Sequence, residues 1–128
     1  MTDTQVRRFR DLLKSKQQSI EELLWRRDGI DIERSADPSD EAQFAFDREL
    51  MVRTLDHESS LLAAVNAALQ RIRDGEYGVC QSCDGEISAK RLAAVPWALR
   101  CITCQEALDQ TLENERFAAK VDAMAAQL

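Results

Sequence analysis

The spacing of the cysteines constrains this chain more than any other feature. Cys80 and Cys83 form one Cys-x-x-Cys pair, and Cys101 and Cys104 form a second pair after a gap of seventeen residues. Two such pairs can bring four thiolates to the corners of a tetrahedron, as a structural zinc ion requires. Disulfide bonds are the alternative, with three possible pairings. Since thiolates at this spacing more often hold zinc in a reducing compartment, we predict one structural zinc ion at these cysteines.

Composition and charge indicate where the protein is located and which kind of partner it binds. The first residues lack the basic and apolar runs of a signal peptide, and no window approaches the roughly 18 apolar residues of a membrane span. We therefore expect a cytoplasmic protein. The net charge is −6, from 17 basic and 23 acidic side chains. Because duplex DNA binding needs clustered positive charge, we expect no direct DNA binding and a protein partner with a basic surface.

Two long amphipathic helices are predicted ahead of the cysteines. The first spans about residues 5–33, with two heptad registers: Val6, Leu13 and Ile20, then Phe9, Leu23 and Ile30. The second spans about residues 38–73, also with two registers: Leu55, Leu62 and Leu69, then Met51, Val65 and Ile72. The seam is imperfect, because four charged residues occupy positions where apolar residues are expected: Lys16, Arg27, Arg48 and Glu58. The pattern predicts an antiparallel coiled-coil hairpin, and an ordinary helical bundle built as a dimer is the alternative.

The predicted fold class is mainly α. Residues 1–74 form the coiled-coil hairpin with its tip at about residues 31–42, and residues 75–128 form a small four-cysteine zinc-ribbon base with a C-terminal helix. We expect short strands and turns around zinc over residues 80–104, and a final helix from Ile102 to about Ala125. The protein is expected to be a monomer.

The predicted tip contains a helix start. In the run Asp37-Pro38-Ser39-Asp40, Asp37 is placed as the N-cap, Pro38 as the first helical residue and Asp40 as an acid in the first turn. Helix capping alone can account for both aspartates, so the residue pattern by itself leaves their role open.

The motifs together resemble one known family, the DksA/TraR proteins, which are bacterial transcription factors that act on RNA polymerase without binding DNA. The run from Gly75 through Tyr77 and Gly78 to Cys83 resembles the family's entry into its zinc site. The residues ahead of the second pair also match the signature: Ile87, Arg91, Leu92, Ala94 and Pro96. The run Asp37 to Ala42 is similar to the family's DxxDxA tip motif.

The resemblance implies a function. A coiled coil of this family enters the secondary channel of RNA polymerase, and Asp37, Asp40 and Ala42 would act at its tip. Promoter-complex stability would change, at ribosomal RNA promoters among others. At the positions where the longest-studied members use basic residues to bind the alarmone ppGpp in the stringent response, this chain has Ala64, Val95 and Gln105, with only Leu61 retained. We therefore expect weak or no dependence on ppGpp.

Several alternatives stay open from the residues. Arg91 either bridges the zinc base to the hairpin or contacts polymerase, and a redox-sensing role for the cysteines is an alternative to a purely structural one. No arrangement of residues suited to catalysis can be assembled, so we expect no enzymatic activity. Besides the channel regulator, the chain could be a transcript-cleavage factor whose tip acids hold magnesium, or a zinc-ribbon and coiled-coil adaptor for another protein.

Overall fold

The structure is a computed structural model that describes residues 1–28 and 38–127, without the side chains of residues 27, 28 and 38–40. It contains four helices in the described residues: α1 (Asp3–Asp28), α2 (Pro38–Arg73), α3 (Ala89–Ala94) and α4 (Ile102–Ala125). The chain divides into two compact units, Met1–Gly75 and Glu76–Leu128. The predicted mainly α class, with a helical hairpin ahead of a small cysteine-bearing unit, is confirmed.

Helix α1 begins with a reciprocal cap. The backbone N–H of Thr2 donates to the Gln5 side-chain oxygen at 2.9 Å, and the Gln5 N–H donates to the Thr2 hydroxyl oxygen at 3.2 Å. This capping box satisfies two of the N–H groups that a helix start leaves without partners, so it fixes the first turn. The described helix ends at Asp28, and the remainder of the predicted helix, including Ile30, lies outside the described residues.

The apolar stripe of α1 departs from the predicted heptad. Its buried or half-buried residues are Val6, Phe9, Leu13, Gln17, Ile20 and Leu24. A heptad would place the residue after Leu13 at position 16, but the half-buried residue is Gln17, four positions on. With this extra residue the pattern repeats every eleven residues and not every seven. The prediction for Leu23 is therefore wrong: its side chain is 39% exposed, and the neighbouring Leu24 takes the inward position. Lys16 is exposed, so it does not interrupt the seam.

Helix α2 keeps the predicted heptad pattern. Val65 and Leu69 are buried, and the other predicted seam residues are half-buried: Met51, Leu55, Leu62 and Ile72. Helix α1 packs against α2, and a side-chain hydrogen bond joins them where the α1 spacing changes, from Gln17 Nε2 to Asn66 Oδ1 at 2.7 Å. Gln17 is half-buried and Asn66 is exposed, so the pair lies at the edge of the seam. A specific polar pair there favours one alignment of the two helices over its neighbours.

The α2 helix ends at Arg73 through a glycine turn. Gly75 has φ +74°, which L-residues with a side chain rarely adopt, and its N–H donates to the Ile72 carbonyl oxygen at 3.2 Å. The last turn carries Arg71 and Arg73, whose charge suits the negative end of the helix dipole.

The prediction of short strands over residues 80–104 is wrong. Among the described residues, one isolated antiparallel bridge joins Val79, just before this segment, to Glu86, and the short helix α3 lies where further strands were expected. Ser88 begins α3 as its N-cap, accepting a hydrogen bond from the Arg91 N–H at 3.2 Å. The final helix has the predicted bounds, Ile102–Ala125. Among the described residues, no helix combines the length and apolarity needed to cross a membrane.

Candidate metal centre

The four cysteines converge on one point in the Glu76–Leu128 unit. The Sγ atoms of Cys80, Cys83, Cys101 and Cys104 all lie within 4.8 Å of one another, and the Cys83 and Cys101 Sγ atoms are 3.9 Å apart. A tetrahedral ion with zinc–sulfur bonds of about 2.3 Å needs sulfur–sulfur distances of about 3.8 Å. The geometry and the all-thiolate donor set therefore fit one structural zinc ion.

The first cysteine pair lies in a tight loop held by its own backbone. The Cys80 N–H donates to the Gly85 carbonyl oxygen at 2.7 Å, and the Asp84 N–H donates to the Cys80 carbonyl oxygen at 3.0 Å. Asp84 has φ +59°, a conformation that aspartate tolerates better than most residues. A Cβ atom on Gly85 would stand 3.2 Å from the Cys83 Sγ atom. A side chain at position 85 would therefore require the Cys83 thiol to shift by a few tenths of an ångström.

The second cysteine pair begins helix α4 and is tied to the first loop. Cys101 is the N-cap of α4, and Cys104 lies in its first turn. The Gln81 N–H donates to the Leu99 carbonyl oxygen at 2.8 Å, and the Arg100 Nε donates to the Ser82 hydroxyl oxygen at 3.1 Å. Two hydrogen bonds therefore hold the cysteine-bearing segments side by side without relying on the metal.

The electrostatics of the cluster call for a cation. A hydrogen bond from the backbone N–H of Cys101 lowers the pKa of the Cys80 thiol to about 6, so this thiol is ionised at neutral pH. Hydrogen bonding with the Cys101 side chain raises the pKa of Cys104 to about 12, so that thiol keeps its proton. Thiol groups packed this closely cannot all ionise unless a positive charge lies between them. Zinc supplies that charge when bound and holds the two cysteine-bearing segments together.

Arg91 is engaged inside the zinc-binding unit. Its Nε donates to the Arg100 carbonyl oxygen at 3.0 Å, which fixes the residue immediately before Cys101. The Arg100 side chain in turn bonds to Ser82, which lies in the loop between Cys80 and Cys83. Arg91 and Arg100 are half-buried, whereas Lys90 is exposed.

Tyr77 is a structural residue whose role the sequence analysis did not assign. Its hydroxyl donates to the Pro96 carbonyl oxygen at 2.7 Å, and the side chain is buried. Burial raises its pKa to about 12. The bond joins the entry of the zinc-binding segment to the turn after α3. A buried tyrosine normally finds a hydrogen-bond partner, but sequence alone does not show that the partner lies nineteen residues away.

The predicted site residues fall into separate groups. The four cysteines come together, and Arg91 belongs to the same unit. Asp40 and Ala42 belong to the Met1–Gly75 unit, in the first two turns of α2, where Ala42 is exposed. Asp37 lies outside the described residues.

Comparison with known proteins places this site in a family. Residues 75–110 match the family model described as the prokaryotic DksA/TraR C4-type zinc finger. The RNA polymerase-binding transcription factor DksA of Caulobacter vibrioides is 38% identical over 74 residues, which cover 58% of this chain and 52% of that protein. The chain thus spans about half the length of that relative.

Two solved structures extend the likeness to most of the chain. Transcription factor DksA2 from Pseudomonas aeruginosa superposes with a TM-score of 0.75 at 32% identity, covering 88% of this chain and 89% of that one. The DnaK suppressor protein from Agrobacterium tumefaciens gives a TM-score of 0.57 at 31% identity, covering 80% and 92%. A helical hairpin joined to a four-cysteine zinc unit defines a class of small zinc-finger proteins. Within it, this chain belongs to the DksA/TraR family.

Proposed function

We propose that this protein is a transcription regulator that binds RNA polymerase directly, inserts its hairpin into the secondary channel and alters promoter-complex stability without binding DNA. The observation that carries the proposal is the combined match to DksA2, which spans both the hairpin and the zinc unit at 32% identity. The Caulobacter vibrioides relative is named as RNA polymerase-binding, which supports the same class of partner.

The hairpin suits the role of an inserted probe. Helix α2 has 36 residues and is therefore about 54 Å long at 1.5 Å per residue. Its seam with α1 contains the fully buried Leu13 and Val65, so the two helices support each other over most of the length of α1. A paired rod of this kind loses little conformational entropy on entering a narrow opening, since its backbone is already ordered.

The tip residues carry the proposed effect on polymerase. Asp40 and Ala42 lie at the start of α2, where the helix emerges from the segment that contains Asp37. Carboxylates at the beginning of a helix are favoured by the helix dipole, so acids can be held there at little cost in stability. In this proposal Asp37 and Asp40 act through their charge near the catalytic machinery, and Ala42 allows close approach because its side chain is small.

Weak dependence on ppGpp is part of the proposal. The four positions at which the longest-studied members of the family help to bind the alarmone are all half-buried here, and none carries a cation: Leu61, Ala64, Val95 and Gln105. The Gln105 amide donates to Asp109 at 3.0 Å, which leaves a carboxylate close to that position. A polyphosphate without compensating cations is bound weakly. Equal effects on transcription with and without saturating ppGpp are expected, and strong potentiation by ppGpp would contradict this part.

Arg91 remains a proposed polymerase contact. Its Nε bond to the Arg100 carbonyl already gives it a structural role. The Arg91→Lys variant keeps the charge and loses this bond geometry. If its polymerase affinity is intact while the zinc unit is less stable, then Arg91 acts within the fold and not on polymerase.

The decisive experiment is transcription in vitro from a ribosomal RNA promoter without ppGpp. The wild type is compared with Asp40→Asn and with a control, Asp47→Asn, which removes another exposed α2 carboxylate while an amide oxygen remains to accept from Gln43. We expect inhibition by the wild type and the control, and its loss in Asp40→Asn despite retained polymerase binding. If all three proteins bind and none inhibits, the tip aspartates are structural and the adaptor function takes precedence. Release of short RNA from backtracked complexes would instead favour a transcript-cleavage factor.

A further inference from the structure

The first half of α1 carries a concentration of positive charge that contrasts with the whole chain. Residues 3–18 contain five cations against two acids, in a protein with a net charge of −6. At 100° per residue, Arg7, Arg8 and Lys14 fall on the side of α1 opposite the stripe that contains Leu13 and Ile20. We call these three cations the basic face.

The basic face is not explained by the stability of the hairpin. Among the described residues, no ion pair or hydrogen bond involves the side chains of Arg7, Arg8 or Lys14. Arg10 stands three residues after Arg7 and four before Lys14, spacings at which like charges repel on a helix surface. A charge pattern that opposes local helix stability, with no compensating contact inside the fold, is expected at functional surfaces.

The chemistry of this face favours a protein partner over a nucleic acid. Arg7 and Arg8 border a shallow cleft of about 470 Å³ that Asp11 and Leu12 also line. Leu12 is 50% exposed and offers apolar contact area. Duplex DNA presents phosphates over an extended surface and would also meet the acids of the rest of the chain, whereas a local acidic patch on a protein meets the basic face alone. Carboxylates beside an apolar patch, as on an acidic protein surface, match the cations and the leucine together.

Arg7 and Arg8 lie near the start of α1, whereas the predicted tip follows the last described residue of this helix, Asp28. Helix α1 runs from residue 8 to residue 28 over about 30 Å before the chain reaches the tip segment. A hairpin inserted tip first would therefore leave this face near the entrance of the opening.

We propose that Arg7, Arg8 and Lys14 dock on an acidic protein surface and, resting on the proposed function, that this surface lies on RNA polymerase beside the entrance of its secondary channel. The acidic tip and the basic root of the hairpin then interact with the polymerase at two separate places. Contacts of this exposed, charged kind mainly affect the rate of association and its dependence on salt.

The test measures binding of the full-length, zinc-loaded protein to core RNA polymerase at about 50 mM and about 200 mM salt, since screening separates these conditions. The double variant Arg7→Glu/Arg8→Glu reverses the charge of the basic face. Arg116→Glu/Lys120→Glu is the matched control, because it makes the same change in net charge at exposed residues of α4. Asp11→Asn removes the acid from the cleft and keeps the size of its side chain.

We expect Arg7→Glu/Arg8→Glu to weaken binding about tenfold at low salt and to flatten the salt dependence, while the control changes it less than about twofold. Asp11→Asn is expected to tighten binding about twofold, a gain that damage to the fold could not produce. Circular dichroism checks that each variant is folded.

Three results would overturn the inference. If the wild type binds polymerase and the basic-face variant binds equally well, the inference fails and the proposed function stands. If Asp11→Asn weakens binding, or if the wild type binds duplex DNA through Arg7 and Arg8, the partner is not an acidic protein surface. If the wild type does not bind core polymerase at all, the proposed function fails and this inference falls with it.

Discussion

Two adjacent leucines in α1 provide a direct test of how the hairpin is held together. Leu13 is 0% exposed and Leu12 is 50% exposed, although they have the same side chain and neighbouring positions in one helix. Leu13→Ala removes three buried carbon atoms, worth about 2.4 kcal/mol at ~0.8 kcal/mol per buried CH₂. The cavity left behind adds to this, and measured Leu→Ala costs in cores range from about 2.7 to about 5 kcal/mol. Since a two-helix seam can relax, we expect about 3 kcal/mol.

Leu12→Ala is the control for the same truncation at the helix surface. Its side chain is already half in water, so we expect a cost of about 1 kcal/mol or less. Helix propensity does not distinguish the two variants, because both replace leucine by alanine in the same helix. The difference between the variants should therefore be about 2 kcal/mol.

Urea denaturation followed by far-ultraviolet circular dichroism measures this difference, with zinc present in all samples. If both variants unfold at the same urea concentration and with the same slope, the Leu13 side chain does not contribute to the packing that stabilises α1 against α2. If Leu12→Ala lowers the free energy of unfolding more than Leu13→Ala does, the face of α1 that packs against α2 contains Leu12 and not Leu13.

Three further predictions follow from the seam and the zinc unit. Gln17→Leu should stabilise the hairpin by about 0.5–1 kcal/mol through added apolar burial, whereas Lys16→Leu should not, and denaturation curves that rank them the other way would contradict the eleven-residue spacing. Tyr77→Phe should cost the zinc unit about 1–2 kcal/mol by leaving a carbonyl oxygen without its donor, as thermal melting would show, and an unchanged melt would argue against that bond. Zinc affinity should rise with pH, because Cys104, with its pKa raised to about 12, must lose a proton on binding. Cys83, whose pKa is also raised, loses another proton on binding. Cys80, with its pKa lowered to about 6, releases a further proton mainly below about pH 6, and calorimetry in buffers of different ionisation enthalpy would detect proton release or its absence.

Local sequence patterns were sufficient to predict much of the fold. The seam of α2 and its start and end, at Pro38 and Arg73, follow from the heptad pattern, the Asp37-Pro38 start and the glycine stop at Gly75. The grouping of the four cysteines follows from their spacing, because each Cys-x-x-Cys pair can turn two thiolates towards one ion. The reciprocal cap at Thr2 and Gln5 was not predicted, although these residue types at this spacing define a capping box, and α1 begins at Asp3 and not at about residue 5.

Other features depended on contacts between distant residues. The position of Gln17 in the seam was not predictable, because a heptad and an eleven-residue repeat differ by one residue of spacing, and the partner helix decides which is used. The segment between the cysteine pairs was expected to be short strands. There, the Ser88 cap starts a helix, and the bond from Arg91 to Arg100 returns the chain towards the second pair.

The sequence by itself thus determined the elements whose causes are local: the starts of α2 and α4, the periodicity of α2 and the grouping of the four cysteines. Tertiary structure alone decided which leucine of α1 faces inward, and which hydrogen bonds join the two cysteine-bearing segments. The physical reason is that a spacing pattern specifies the face that a residue occupies within its own helix or loop. The choice between nearly equivalent faces, and the pairing of Tyr77 with Pro96 or of Arg100 with Ser82, is set by packing between parts of the chain that are far apart in sequence.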